Sequence, residues 1–459
     1  MASSQPSDEF TNINSTRLID YLANSLKQTA KGVHTYTIYA LSTKLTPKDS
    51  LTLKDGSNTS GSNLFERQLL LLVNEKIPAT KNNEIFVTGV EIYEYHDFDR
   101  DSLNIYISKV DTTGYRPYSY TPTKNLLIAY MKFYLEDISV NKKLLLKRKT
   151  IKFNIFARPH PQYLFRHSDK NLMKHVLDDS ELLKWWKNIL QQTFLSENIQ
   201  EKTRKKRGWF YFPGIPSDNM ALTFIRDNVD GEVENSENSF WQYGYPYPDD
   251  EEAIKVIPRF EDDAKTRWLD TAGESSLTVK NFWELISIGG EFAGGRQAGF
   301  FWVEAVLEDN RDLTNQDMEI ESIVDHQSLN SEIKEELEKE VGGIVVSINT
   351  YVKALGELFA QEFHSEEAAI ESTSYWCRYF YKLYSNNIAI EFMVNNSNNL
   401  QARVKRKADY DQQLNATLVT PVNNQQMQRT NDDELPNTIL NITTKDIKIN
   451  VLSPSLIKR

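Results

Sequence analysis

Apolar residues recur along this chain in two rhythms, one at helical spacing and one alternating or continuous, and their order predicts a sheet-forming first half followed by a more helical second half. Leu18 to Leu26 is apolar at helical spacing after a polar stretch of residues 1–16, so folded structure is expected to begin there. Leu69-Leu70-Leu71-Leu72-Val73 reads as a buried strand, and Glu84 to Tyr95 and Asn104 to Lys109 read as two more, joined by a polar loop. Asp55 to Asn63, rich in Gly, Ser and Asn, reads as a surface loop. Leu126 to Leu135 is helical in pattern, and Ile151 to Arg158 is a further buried strand ended by Pro159. Lys170 to Phe194 predicts two helices, the second opened by Asp178-Asp179-Ser180 and burying Leu182, Leu183, Trp186, Ile189, Leu190 and Phe194 on one face. Glu201 to Arg207 reads as a basic loop, Ser217 to Asn238 as acidic and loosely patterned, and Phe240 to Pro248 as a packed irregular aromatic segment. Helices are expected at Val279 to Ile286, after which Gly289 to Gly299 is glycine-rich, and again at Ser331 to Glu340, Ile348 to Phe359 and Ser365 to Tyr384. After about Asn395 the chain turns to Asn, Gln, Lys and Arg without periodicity, the pattern of a disordered tail.

Composition sharpens this into domains. With 459 residues, 40% of them hydrophobic, there is material for one large domain or two intimate lobes. The expected division is a flexible N-terminus over 1–16, a folded domain over 17–395 and a tail over 396–459 that is basic, then rich in Asn and Gln. The lone cysteine, Cys377, excludes a disulfide framework and a cysteine-rich zinc site and points to a reducing compartment. No apolar run approaches the roughly 18 residues of a membrane span, and Met1 to Pro6 lacks a signal-peptide pattern, so a soluble intracellular protein without a membrane partner is expected.

The net charge of −11 is laid out unevenly: Asp227 to Glu274 holds fourteen acidic and four basic residues, and Glu304 to Glu340 thirteen and three. Such a surface attracts basic partners and repels nucleic acid, so no direct sequence-specific nucleic-acid binding is expected. Basic islands interrupt it at Lys142, Lys143, Lys147, Arg148 and Lys149, at Arg204 to Arg207, and at Arg403, Lys405, Arg406 and Lys407. Each fits a solvated loop, a nuclear-localisation signal or an anion contact.

Two stretches carry candidate chemistry. Phe260 to Trp268 packs Asp262-Asp263, Lys265 and Arg267 between aromatic flanks. Adjacent carboxylates oppose each other's ionisation, which suits one of them to accept a proton. An acidic helix start is the plainer reading, and Asp249-Asp250 shows how readily the dipeptide occurs. The second stretch, Val110-Asp111-Thr112-Thr113-Gly114-Tyr115, is a polar turn between strand and helix, where free amides favour a phosphate-bearing cofactor, and Ser119, Thr121, Thr123 and Lys124 add donors. His160, His167 and His175 lack cysteines or a metal-like pair at i, i+4, so no metal site is expected. By spacing alone, Trp185-Trp186 reads as core.

Taken together, several segments resemble the fungus-specific histone H3 acetyltransferases: Ser108 to Tyr115, Phe156 to Pro159 with Gln162 to Phe165, Lys174 to Leu177 with Leu183 to Trp186, Phe240-Trp241-Gln242, and Asp262 to Arg267. The resemblance runs from Phe86 to about Tyr384. It implies an α/β (α+β) fold, a central mixed β-sheet surrounded by helices, similar to that of the CREB-binding-protein acetyltransferases. It implies acetyl-CoA as cosubstrate, held by Val110, Asp111 and Thr112, the loop of Ser119, Tyr120, Thr121, Pro122 and Thr123, and Phe156, Arg158, His160, His175, Val176, Leu177 and Trp185. Tyr163, Trp186 and Asp263 are implied near the acetyl and lysine groups, with Asp262 beside the proposed base Asp263. Lys265 is implied as a self-acetylation site whose ammonium biases the neighbouring carboxylates.

The function so implied is acetyl transfer to a core-proximal lysine of histone H3, presented with H4 by histone chaperones, in the nucleus, during replication-coupled chromatin assembly and the DNA damage response. The family's long basic insertion is much shortened in the region of Lys142 to Lys152, so the resemblance does not carry over one chaperone contact. Direct attack of the amine in a ternary complex is expected, because Cys377 lies far along the chain from every motif. The alternatives from other classes are a non-catalytic acidic histone-binding scaffold and a small-molecule acyltransferase.

Overall fold

The computed structural model describes residues 17–52, 63–77, 83–116, 120–136, 148–215, 219–221, 240–272, 277–288, 297–308, 331–383 and 390–396. All of them belong to one compact unit, Met1–Arg403; the second unit, Val404–Arg459, lies outside the described residues, as do the expected polar N-terminus and nearly all of the tail. The expected loop at Asp55 to Asn63, the segment Ser217 to Asn238 and the glycine-rich stretch after Gly289 also fall largely outside them.

The chain opens with α1 (Leu18–Thr29), followed by β1 (Gly32–Thr43), the short β2 (Thr46–Pro47), β3 (Leu64–Lys76), β4 (Glu84–Asp97) and β5 (Ser102–Asp111). Next come α2 (Thr123–Leu135), β6 (Thr150–Ala157), α3 (Asp179–Phe194), α4 (Glu197–Lys202), β7 (Thr203–Tyr211) and β8 (Trp241–Tyr243). The remainder is α5 (Ala253–Val256), α6 (Ala264–Ala272), α7 (Val279–Ile288), β9 (Gly299–Leu307), α8 (Ser331–Glu340), β10 (Ile344–Val346), α9 (Ile348–Phe359), α10 (Glu366–Leu383) and β11 (Ile390–Asn396). The strands form one mixed sheet in the order β10-β1-β3-β4-β5-β6-β9-β7-β8, with β11 also on β1 and β2 on β3. The expected central mixed β-sheet surrounded by helices is therefore what the chain forms.

Continuous apolar runs such as Leu69–Val73 form strands because both faces of the sheet are covered, and every residue of that run is buried. The main core joins α1, α2, α3, α9 and α10 to β1, β3, β4, β5 and β6. Smaller clusters lie elsewhere, one of Leu45, Phe65 and Leu337; of the others, the first holds Ile257, Leu269, Phe282, Trp283, Phe300 and Trp302, and the second Tyr93, Tyr95, Tyr106 and Phe260. The second of these sets the Phe260 turn against the sheet.

Three expectations need correction. Lys170 to Phe194 holds one helix, not two: a single 3-10 turn at Ser168–Lys170 is followed by irregular chain up to the Asp178 cap. That segment is held instead by tertiary bonds, Asn171 Nδ2 donating to the Thr113 carbonyl at 2.9 Å and Lys174 Nζ to Asp111 at 2.7 Å. Glu201 to Arg207 is not a loop but the end of α4 and the start of β7, which turns Arg204 and Lys205 outward and buries Thr203, Gly208 and Phe210. Within Phe240 to Pro248, Trp241–Tyr243 is a short parallel strand on β7. Strands β1, β9, β10 and most of β11 had no counterpart in the sequence reading.

Candidate functional site

Strands β5 and β6 run parallel and in register from Ser102↔Thr150 to Ile107↔Ile155, then part. Beyond that point, among the described residues, β5 pairs only with β4, and β6 only with β9. A cleft of about 280 Å³ opens at the divergence, walled by Ile107, Ser108, Val110 and Asp111 of β5 with Thr112 just beyond it, and by Phe156 and Ala157 of β6 with Arg158 and Pro159 just beyond it. The N-terminus of α2 adds Thr121, Thr123 and Lys124, the connection before α3 adds His175, Val176 and Leu177, and α3 itself adds Leu182, Trp185 and Trp186.

Asp111 ties these walls together. Its Oδ2 accepts from three successive amides, Tyr163, Leu164 and Phe165, at 2.7, 2.8 and 3.0 Å. Its Oδ1 accepts from the Thr112 amide at 2.8 Å and from Lys174 Nζ at 2.7 Å. Lys174 also reaches Ser168 Oγ at 2.7 Å. Gly114 turns the chain just beyond with φ +83°, and a Cβ there would lie 2.5 Å from that of Lys174. One buried carboxylate thus fixes the end of β5, the 163–165 loop and the lysine between them.

Trp185 and Trp186 meet at 5.0 Å and 77°; Trp186 is buried and Trp185 half-buried, because α3 turns its apolar face inward behind a complete capping box at Asp178 and Glu181. Tyr163 donates its hydroxyl to the Arg158 carbonyl, and burial pushes the phenol up to about 12 against the opposing Arg158 charge. His160 lies tilted at 5.1 Å from Tyr163, and the exposed His175 is 3.4 Å from Glu181. Burial and the nearby Lys31 depress the Lys124 ammonium.

Of the residues expected at the site, Val110, Asp111, Thr112, Thr121, Thr123, Phe156, Arg158, His160, Tyr163, His175, Val176, Leu177, Trp185 and Trp186 line this cleft. Tyr120 and Pro122 are not among its lining residues; Tyr120 accepts from Asn125 at 2.8 Å and Pro122 precedes α2, while Ser119 lies outside the described residues. Arg116, outside every motif, and Lys174, a motif residue with no expected site role, also line it. Their signal was positional: Arg116 follows the Gly114 turn and Lys174 adjoins His175.

Asp262 and Asp263 sit at the start of α6 and take different partners. Asp263 is 1% exposed, 2.8 Å from Lys265 Nζ, and accepts from the Lys265 amide at 3.1 Å in the manner of an N-cap. Lys265 is also buried, donates to the Pro258 carbonyl and lies 4.9 Å over the Phe260 ring. Asp262 adopts φ +53° and turns its half-exposed carboxylate to Lys109. Phe260 stacks on Tyr106 of β5 at 5.0 Å and 10°. Neither aspartate is among the cleft's lining residues, though Phe156, which is, packs against the Phe260 cluster. Cys377 lies buried on α10, its thiol pushed up to about 12 by burial. Among the described residues no group of His, Cys, Asp and Glu is arranged to hold a metal, and no helix is long and apolar enough to cross a membrane.

The model of the histone acetyltransferase KAT11-type domain family matches residues 18–145 and 132–379 of this chain. Histone acetyltransferase rtt109 of Schizosaccharomyces pombe is 24% identical over 249 residues, 52% of this chain and 61% of that protein. The protein of that name from Aspergillus flavus is 27% identical over 305 residues, 58% and 53% of the two chains. The chain thus matches less than two thirds of the length of these curated relatives. The crystal structure of Rtt109 from Aspergillus fumigatus superposes with a TM-score of 0.60 at 20% identity, covering 82% of this chain and 98% of that one, a likeness of fold.

Proposed function

The chain belongs to the KAT11-type histone acetyltransferase family, and from that premise we propose that it is a histone lysine N-acetyltransferase that uses acetyl-CoA. The observation that carries the reading is the cleft where β5 and β6 part. Its lining combines cationic Arg116, Lys124 and Arg158 with apolar Leu182, Trp185 and Trp186, chemistry that fits a ligand with an anionic end and an acyl end. Ser108 to Val110 stay paired with β4 where they run beside it, and the opposite edge of that main chain, no longer paired with β6, is available to the amides of an extended arm.

At pH 7 a substrate lysine is mostly protonated, and reaching the neutral amine costs about 4.6 kcal/mol, roughly 3.4 pH units at 1.36 kcal/mol each. Asp263 is the proposed base, and Trp186 lines an apolar channel that disfavours the ammonium. The neutral amine attacks the thioester carbonyl directly, forming the C–N bond as the C–S bond breaks; the amine proton leaves through Asp263 and the released thiolate is protonated. Asp262 and Lys265 set the electrostatics around that base. Self-acetylation of Lys265 would remove the ammonium facing Asp263, so the acidic limb of the pH-rate profile should differ between acetylated enzyme and Lys265→Arg. Superimposable profiles would remove Lys265 from regulation.

The proposed substrate is a core-proximal lysine of histone H3 within H3–H4, presented by histone chaperones in the nucleus during replication-coupled assembly and the damage response. The folded domain proposed to do this is residues 17–395. Calorimetry should show acetyl-CoA binding, whereas an acidic histone-binding scaffold shows none. In assays on chaperone-bound H3–H4, Asp263→Asn should lower kcat by about 100-fold or more without raising KM for acetyl-CoA. Unchanged turnover would remove Asp263 from the mechanism, and mass spectrometry of the product reports the lysine used.

A further inference from the structure

Lys109 lies on β5 directly opposite Glu91 of β4, and its Nζ is 2.5 Å from Glu91 Oε2 while also donating to Asp262 Oδ2. The three groups differ sharply in burial: the Glu91 side chain is fully buried, that of Lys109 17% exposed and that of Asp262 44% exposed. Glu91 Oε1 has no hydrogen-bond partner among the described residues. Burial pushes the Glu91 carboxyl up, and the Lys109 charge is what opposes it. An ammonium that moved away would leave a buried carboxylate uncompensated, so Glu91 holds Lys109 in place. The lysine's outward N–H is thereby aimed at Asp262, whose left-handed backbone (φ +53°) makes the turn into α6. Three residues earlier on the same strand, Tyr106 stacks on Phe260 at the other end of that turn.

We propose that Lys109 is a positioning residue for acetyl transfer, tying the Phe260–Ala264 turn, and with it Asp263, to the strand whose next residues Val110, Asp111 and Thr112 wall the cleft. The inference rests on the reading of Asp263 as the base. One strand then sets both the wall of the acyl site and the position of the proton acceptor.

The test compares Lys109→Arg, Lys109→Met, and Glu91→Gln combined with Lys109→Met, which removes the buried charge together with its partner. Lys109→Met alone should lower Tm. The double variant should recover most of that Tm, yet keep a kcat at least 10-fold below wild type with KM for acetyl-CoA unchanged. Lys109→Arg should retain most of the activity, and amides of residues 260–264 should exchange faster in the double variant than in wild type. A double variant with wild-type kcat and wild-type exchange would overturn the proposal, leaving Lys109 only as a neutraliser of Glu91. Asp263→Asn, run in parallel, separates the two readings: unchanged turnover there, with faster exchange in the double variant, removes the base while the tether stands.

Discussion

Asp111 shows how far a side chain's role can depart from its place in a motif. The family resemblance implied it as a cofactor contact, and it does line the cleft, but its carboxylate is engaged by four amides and an ammonium. Asp111→Asn keeps one acceptor and loses the charge, so it should lower stability by about 2–3 kcal/mol, the worth of a charge-assisted bond, and weaken acetyl-CoA binding by disordering the 163–165 loop. Denaturant melts and calorimetry check both. The partner Lys174 stands 63 residues along the chain, which is why sequence spacing could not assign it.

His96 provides a second test at this scale. Burial, with Arg67 and Arg148 nearby, depresses the ring to about 4, opposed by Glu94. An unfolded histidine titrates near 6.5. Protonation therefore favours the unfolded chain, and the stability from keeping the ring neutral is full above about pH 6.5 and declines as pH falls toward 4. Thermal melts between pH 7 and 4 should show a shallower loss of Tm for His96→Gln than for wild type. Equal slopes would mean that His96 does not contribute.

Among the elements, those with an uninterrupted pattern were legible and those whose pattern is shared between neighbours were not. Leu69–Val73 and the α3 face announced themselves, and α3 starts where Asp178 closes its capping box. Asp178→Ala should cost about 1 kcal/mol, seen as a lower midpoint in urea, with Trp186 and hence the cleft wall affected. By contrast, β1 mixes Thr, Tyr, Ala and Ser, residues that become core only because β3, β10 and β11 surround it. Gly299–Leu307 opens with glycine, whose added Cβ would lie 2.4 Å from Leu183, a close approach that a sequence does not display. The segment after Ser168 looked helical because its apolar spacing permits it, and tertiary bonds to Thr113 and Asp111 prevailed. The aspartate pair was legible as a helix start and as chemistry, but its division between Lys109 and Lys265 was not.

For the whole molecule, the two ends of the described chain meet at one edge of the sheet. Gly32–Ile38 of β1 pairs with Ile390–Asn396, and Leu41–Thr43 pairs with Ile344–Val346. A chain truncated before Ile390 should leave that edge of β1 open, lowering Tm and scattering light on warming, whereas one ending after Asn396 keeps every described pairing. Equal melts for the two truncations would show that β11 adds nothing to the fold.

The parting of β5 and β6 has a consequence for how such a protein tolerates change. Main-chain groups released where two parallel strands diverge belong to no particular side chain, and no ordinary substitution deletes them. Recognition written into the backbone is inherited with the fold, whereas recognition written into residues must be kept position by position. A chain built this way is free to exchange most of its letters while the opening between those strands, and the shape of what fits it, is handed on.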